Sequence, residues 1–90
     1  MKISSLFIYR KIADEHLLIP MGEAAMTVKG LVAMSESGAM LYEKLKTGCS
    51  REDLIAALTT EYDVSESAAA QDTDAFLAQM RQLNILIEDT

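Results

Sequence analysis

Few residues of this 90-residue chain are of a kind that does covalent or acid–base chemistry, and those few stand alone. The one cysteine, Cys49, lies between Gly48 and Ser50 with no partner histidine in a recognisable motif. It reads as a turn residue and not as a nucleophile. The one histidine, His16, has no cysteine or carboxylate at metal-ligand spacing, which argues against metal binding and acid–base work alike. There is no Gly-rich phosphate loop, no cysteine cluster for zinc or an iron–sulfur centre, and no nucleophile motif. The expectation is therefore no catalytic residue, no cofactor and no metal. On its own the chain should not be an enzyme.

What remains is chemistry of the main chain. Val28 to Met34 (VKGLVAM) has strand character and runs into Ser35-Glu36-Ser37-Gly38 with no loop between, so this strand and the helix after it should be held at a fixed angle. Its free side is a place where a peptide could bind. Gly30 within the run marks a bulge or twist, or else a point of close backbone approach. Lys29 reads either as a guard against edge-to-edge aggregation or as a partner for an acidic residue of a guest. Asp72 and Asp74 read as a solvated helix face, with recognition of a basic guest as the sharper alternative.

Composition narrows the classes. Half the residues are apolar, so a core can form, but with no Trp and only two Phe it must be aliphatic, with Met as filler. The formal net charge is −6, whereas a nucleic-acid reader needs a basic face to displace counterions from phosphates. The last two helical segments carry Arg51 and Arg81 against Glu52, Asp53, Glu61, Glu66, Asp72 and Asp74, which disfavours DNA and RNA. A lone cysteine cannot form an internal disulfide and fits a reducing cytoplasm. No signal peptide is visible, and no apolar run approaches the roughly 20 residues that cross a bilayer.

The elements that would position such an edge can be read in order. Leu6 to Ala13 is a strand by its aromatic and β-branched content, Asp14-Glu15 a two-residue turn, and His16 to Ile19 a second strand ended by Pro20. Met21 to Thr27 is expected to be a loop, and Val28 to Met34 the third strand. If the second strand pairs with both others, the third is left with an unpaired side, which must be covered, blunted or used. Ser35 is placed to cap a helix that buries Ala39, Leu41, Tyr42 and Leu45 and stops at Gly48. Ser50-Arg51-Glu52-Asp53 is a capping pattern opening a second helix, with Leu54, Ile55, Leu58 and Tyr62 inward. Ser65 opens a third, ended by Asn84, with Thr73, Phe76, Leu77, Met80 and Leu83 on its buried face. Ile85-Leu86-Ile87 follows as a short apolar tail. The reading is one α+β domain over residues 1–90, of winged-helix-like type: a three-stranded antiparallel sheet followed by three helices.

Taken together, this pattern resembles the PqqD family, small peptide-binding proteins of pyrroloquinoline quinone biosynthesis. The same module serves as the precursor-recognition element in pathways that make ribosomally synthesised, modified peptides. The resemblance runs from about Phe7 to Ile87. It rests on Arg10, the strand His16 to Pro20, and the turn Met34-Ser35-Glu36-Ser37-Gly38-Ala39. It continues through Tyr42, Leu45, Gly48, Ser50 to Leu54, Leu58, Tyr62-Asp63-Val64, Thr73, Phe76-Leu77, Met80 and Asn84-Ile85-Leu86. Ser35 and Ser37 stand where the family favours Asn and Thr, Tyr42 where it favours Trp, and Asn84 where it favours Gly.

The resemblance implies that the leader segment of a precursor peptide adds as a strand beside the third strand, in a groove walled by the third helix. A modifying enzyme, often a radical S-adenosylmethionine enzyme, would then receive it. Carried onto this chain, the backbone ligands would be Val28, Lys29, Leu31, Val32 and Ala33, and the helix wall would include Asp72, Phe76 and Gln79. On this reading Val32→Pro should abolish binding by removing an N–H while leaving the helices folded. The alternatives are a winged-helix DNA-binding regulator and a homodimer that pairs its own edges or exchanges N-terminal strands.

Overall fold

The computed structural model describes residues 1–87, and among these the α+β class is as predicted. The elements are β1 (Lys2–Ile3), β2 (Phe7–Ile12), β3 (Glu15–Pro20), α1 (Ala24–Thr27), β4 (Val32–Met34), α2 (Glu36–Lys46), α3 (Arg51–Glu61), α4 (Glu66–Gln82) and β5 (Leu86–Ile87). The antiparallel sheet has the order β2-β3-β4, with β4 at its margin. Phe7 and Leu18 from one face of that sheet join Leu41, Tyr42, Leu45, Leu54, Leu58, Phe76, Leu77 and Met80 in the core. All three long helices therefore contribute to the layer beneath that face.

The helix boundaries follow from local chemistry. The Ser35 side chain accepts the Gly38 N–H at the start of α2, and that of Ser65 accepts the Ala68 N–H at the start of α4. At α3, Ser50 and Asp53 form a reciprocal capping box. Gly48 follows α2 with φ +80° and Asn84 follows α4 with φ +59°, each in the left-handed conformation that ends a helix.

Four details differ from expectation. The hairpin turns on Ala13-Asp14, not Asp14-Glu15, because Ile12 pairs with Glu15. No Asn-Gly signal fixes this turn, so its register is left to side-chain packing, with Leu18 fully buried opposite Tyr9. The predicted loop over 21–27 contains the one-turn helix α1, favoured by its paired alanines. The apolar tail supplies β5, which pairs with the unforeseen β1 through Lys2↔Ile87 and Ile3↔Leu86. Strands this short leave no periodicity to detect.

The fourth difference bears on function. The third strand does not span 28–34 but only Val32–Met34. Val28 donates its N–H to the Ala24 carbonyl at 2.8 Å, closing α1, and its side chain is buried in the core. Gly30, at φ +81°, is a left-handed turn ahead of the strand and not a bulge within it.

Register then decides which backbone groups face the sheet's margin. In an antiparallel pair, residues alternate between facing the neighbouring strand with both backbone groups and facing away with both. Leu6 accepts from Met21 at 2.7 Å and Ile12 pairs with Glu15 across the turn, so Ile8↔Ile19 and Arg10↔Leu17 are the bonded pairs between β2 and β3. The other β3 residues, His16 and Leu18, turn toward β4, where they meet Met34 and Val32. Ala33, opposite Leu17, therefore directs its N–H and C=O outward. Leu31 has the same parity one step before the strand.

Two outcomes are expected. Val32→Pro should cost about 2 kcal/mol in urea denaturation, because it removes the N–H that Leu18 accepts, whereas Ala33→Pro should unfold near the wild-type midpoint. Register thus turns the Val32 N–H toward β3, so Val32→Pro loses a bond within the sheet and is a test of stability, while Ala33→Pro is the test of the free edge. In addition, the Asp53 carboxyl is held below its usual range by the backbone and side-chain hydrogen bonds of Ser50. A depressed folded-state value means a contribution present above the unfolded carboxyl value and lost as pH falls through the folded one. Ser50→Ala, which removes the hydroxyl and keeps the backbone N–H, should move the Asp53 titration part of the way upward in carboxyl NMR, and an unmoved midpoint would assign the whole shift to the backbone N–H.

Candidate functional site: a trough between the sheet margin and α4

Beside Ala33 the surface opens into a cavity of about 420 Å³ between β4 and α4. Its sheet side is Ala33 and Met34, its end is Ser35, Ser37 and Gly38 at the start of α2, and Leu41 and Leu58 lie at its base. The helix side is Asp72, Ala75, Phe76 and Gln79. These four recur at i, i+3, i+4 and i+7, so they form one stripe of α4. Sequence alone left open which flank of this helix would face a groove. The flank with Asp72 and Gln79 lines this cavity.

Gly38 permits this shape. A Cβ at that position would lie 3.2 Å from the Ser35 hydroxyl oxygen and 3.9 Å from the Phe76 ring. The missing side chain keeps the N-terminal cap compact and leaves room beside Phe76. Phe76 is a core residue at the border of the cavity. It is 7% exposed and belongs to the core, yet its ring lines the cavity.

Of the residues singled out in the sequence, the cavity brings together Ala33, Asp72, Phe76 and Gln79. Leu31 lies just before β4 with an exposed side chain. Val32 faces β3 with its backbone and packs against the core with its side chain. Lys29 is exposed and precedes the Gly30 turn, and Val28 is internal. Neither lines the cavity. Sequence reading missed Met34, Ser35, Ser37, Gly38, Leu41, Leu58 and Ala75 as lining residues. Ala75 was detectable from the α4 stripe, but Leu58 reaches the site from α3, a meeting that local periodicity does not encode.

The isolated reactive residues have structural partners. The Tyr9 hydroxyl and His16 Nδ1 are 2.6 Å apart, and the two rings stack at 5.9 Å. The Cys49 carbonyl accepts from the N-terminal ammonium at 3.2 Å. Burial pushes the Cys49 thiol up, and Asp53 adds to the shift, the reverse of what activates a nucleophile. Asp74 forms a two-pronged bond with Arg51, at 2.7 and 2.9 Å, linking α3 to α4 and holding its carboxyl below the usual range. The Asp72 side chain makes no hydrogen bond or ion pair among the described residues. The two aspartates that looked alike in sequence are therefore distinct: one braces two helices, the other stands at the cavity.

No group of three or more potential metal ligands occurs among the described residues, nor does a helix long and apolar enough to cross a membrane. What the arrangement offers is an outward-facing N–H and C=O above a trough of mixed lining, apolar at Leu41, Leu58 and Phe76 and polar at Ser35, Ser37, Asp72 and Gln79.

No curated protein sequence matches the chain. Two solved structures share the fold. One, described as TbiB1 in complex with the TbiA(beta) leader peptide, is 21% identical over the full length of both chains, with a TM-score of 0.77. The other, lasso peptide synthetase B1 complexed with the leader peptide, is 17% identical over 97% of this chain and 96% of that one, with a TM-score of 0.78. Residues 15–86 match the family described as Coenzyme PQQ synthesis protein D, and the chain belongs to that PqqD family.

Proposed function

We propose that this protein is a non-catalytic peptide carrier. It takes the leader segment of a ribosomal precursor as a strand beside β4 and presents it to a separate modifying enzyme, of the radical S-adenosylmethionine class. The observation that carries this reading is the pairing of outward backbone groups at Ala33 with the adjoining cavity on α4. Family membership supports it, as do the two structures of the same fold described as complexes with leader peptides.

The geometry sets the form of the contact. A guest residue paired with Ala33 exchanges two hydrogen bonds with it, and its side chain stands on the same outer face as the Ala33 methyl. Its neighbours on either side project to the opposite face, toward Met34, Leu41 and Phe76. The guest thus carries apolar anchors two positions apart, with an unconstrained residue between them. Leu31 extends the pairing as a second backbone contact, and Asp72, Phe76 and Gln79 form the helix wall. Val28 and Val32 are left out because their N–H groups are engaged within the fold, and Lys29 contributes charge beside the edge.

The alternatives make different demands. A DNA reader needs a basic helix, whereas α4 carries Glu66, Asp72 and Asp74 and has Arg81 as the basic residue of its last turn. A second copy of the chain could pair along the same edge, in which case dimerisation and peptide binding exclude one another. Light scattering with and without peptide separates those two.

Isothermal titration with the leader of the precursor encoded beside this protein is expected to give a Kd below about 100 μM. Ala33→Pro, which removes the outward N–H and sets a ring in its place, should weaken binding at least tenfold without loss of fold, and Ala75→Trp, which fills the cavity from an exposed helix position, should do the same. Undiminished binding by both variants would place the site elsewhere.

A further inference from the structure

A second cavity, of about 310 Å³, continues the first. The two share Ser35, Ser37, Leu58 and Asp72, and the second extends past the end of β4 to Tyr62 and Val64. A peptide paired with β4 that keeps its direction beyond Met34 runs into this extension. Its floor is apolar and aromatic: Leu58, the half-buried Tyr62 and the partly exposed Val64.

Its electrostatics have one sign. Asp72 and Glu36 are the charged residues lining it, and no Lys or Arg lines either cavity. Glu36 lies in the first turn of α2, where it offsets the positive end of that helix. Asp72, whose side chain makes no hydrogen bond or ion pair among the described residues, is therefore the principal anion. Leu58 and Tyr62 come from the C-terminal end of α3, whose last turn contains no basic residue, so the negative end of that helix adds to the same field. A long aliphatic stem with a cationic head fits this combination. Such a stem would lie on Leu58 and Val64 with its head at Asp72, and Tyr62 lines the same cavity.

We infer that the extension is a specificity subsite for a lysine or arginine of the bound peptide, placed beyond the segment that pairs with β4, with Asp72 as the reading residue. This rests on the strand-addition reading and adds a sequence requirement to it. Because an exposed ion pair is worth at most about 1 kcal/mol, the preference over an uncharged side chain of similar length is roughly three- to fivefold. It should shrink as salt rises.

The test uses a displayed library of random 20-residue peptides, panned against the full chain and against Asp72→Asn, an isosteric change on an exposed helix face. Wild type should enrich Lys or Arg at one fixed distance from a pair of apolar residues two positions apart. For a selected peptide and its Lys→Met analogue, the affinity ratio should be three- to fivefold with wild type and near unity with Asp72→Asn. Apolar pairs enriched without a positioned cation, or a ratio that survives Asp72→Asn, would overturn the subsite while leaving strand addition standing. No enrichment of any pattern would overturn both.

Discussion

The sheet margin beside the trough depends on one constraint, the alternation of backbone direction along antiparallel strands. Once Ile12 closes on Glu15 across the hairpin, every later residue of β3 has its partner strand assigned, and so does every residue of β4. Ala33 faces outward for no reason local to Ala33. A shift of the turn by one residue on one strand alone would exchange the outward set for the inward one and bring Val32 and Met34 to the margin. The side chains reinforce the choice. Val32 and Met34 pack against the core while the Ala33 side chain is exposed, so a slipped register would bury alanine and expose the larger residues.

The second determinant is the direct junction from β4 to α2. Met34 ends the strand, Ser35 caps the helix and Glu36 begins it, so no flexible residue separates the sheet margin from the helix whose first turn closes the trough. The Arg51–Asp74 bond ties α3 to α4 from the exposed side, while Leu58 and Phe76 meet in the core beneath. An exposed pair of this kind adds little stability. Its value here is geometric, since it holds at a set separation two helices that both line the cavity.

Much of this was legible in sequence, and the parts that were not share a cause. Caps and stops depend on residues three or four apart, so Ser35, Ser50 with Asp53, Ser65, Gly48 and Asn84 all stand where their types suggested. The α4 stripe was readable because helical period repeats over 17 residues. Failures occurred where a short run had two competing uses. Val28 looks like the first residue of a strand because β-branched residues favour strands, but a core position outweighs that weak preference. The β1–β5 pairing joins the two ends of the described chain and has no local signature. The approach of Leu58 to the trough was likewise hidden, because it belongs to the packing of α3 against α4.

Magnitudes indicate how such a site would divide its work. One outward pair at Ala33 gives two hydrogen bonds, worth about 1–3 kcal/mol together after exchange with water. Ordering even three residues of a flexible guest costs about 3–6 kcal/mol in backbone entropy. Backbone pairing alone therefore cannot hold a peptide on a strand of three residues. Each apolar side chain moved from water into the trough adds about 1.5–3 kcal/mol, so side-chain burial outweighs what the backbone pair contributes. The backbone then sets direction and register, and the trough supplies most of the affinity. Under the strand-addition proposal, a site built this way tolerates variation at the outward-facing guest residue and releases its guest readily.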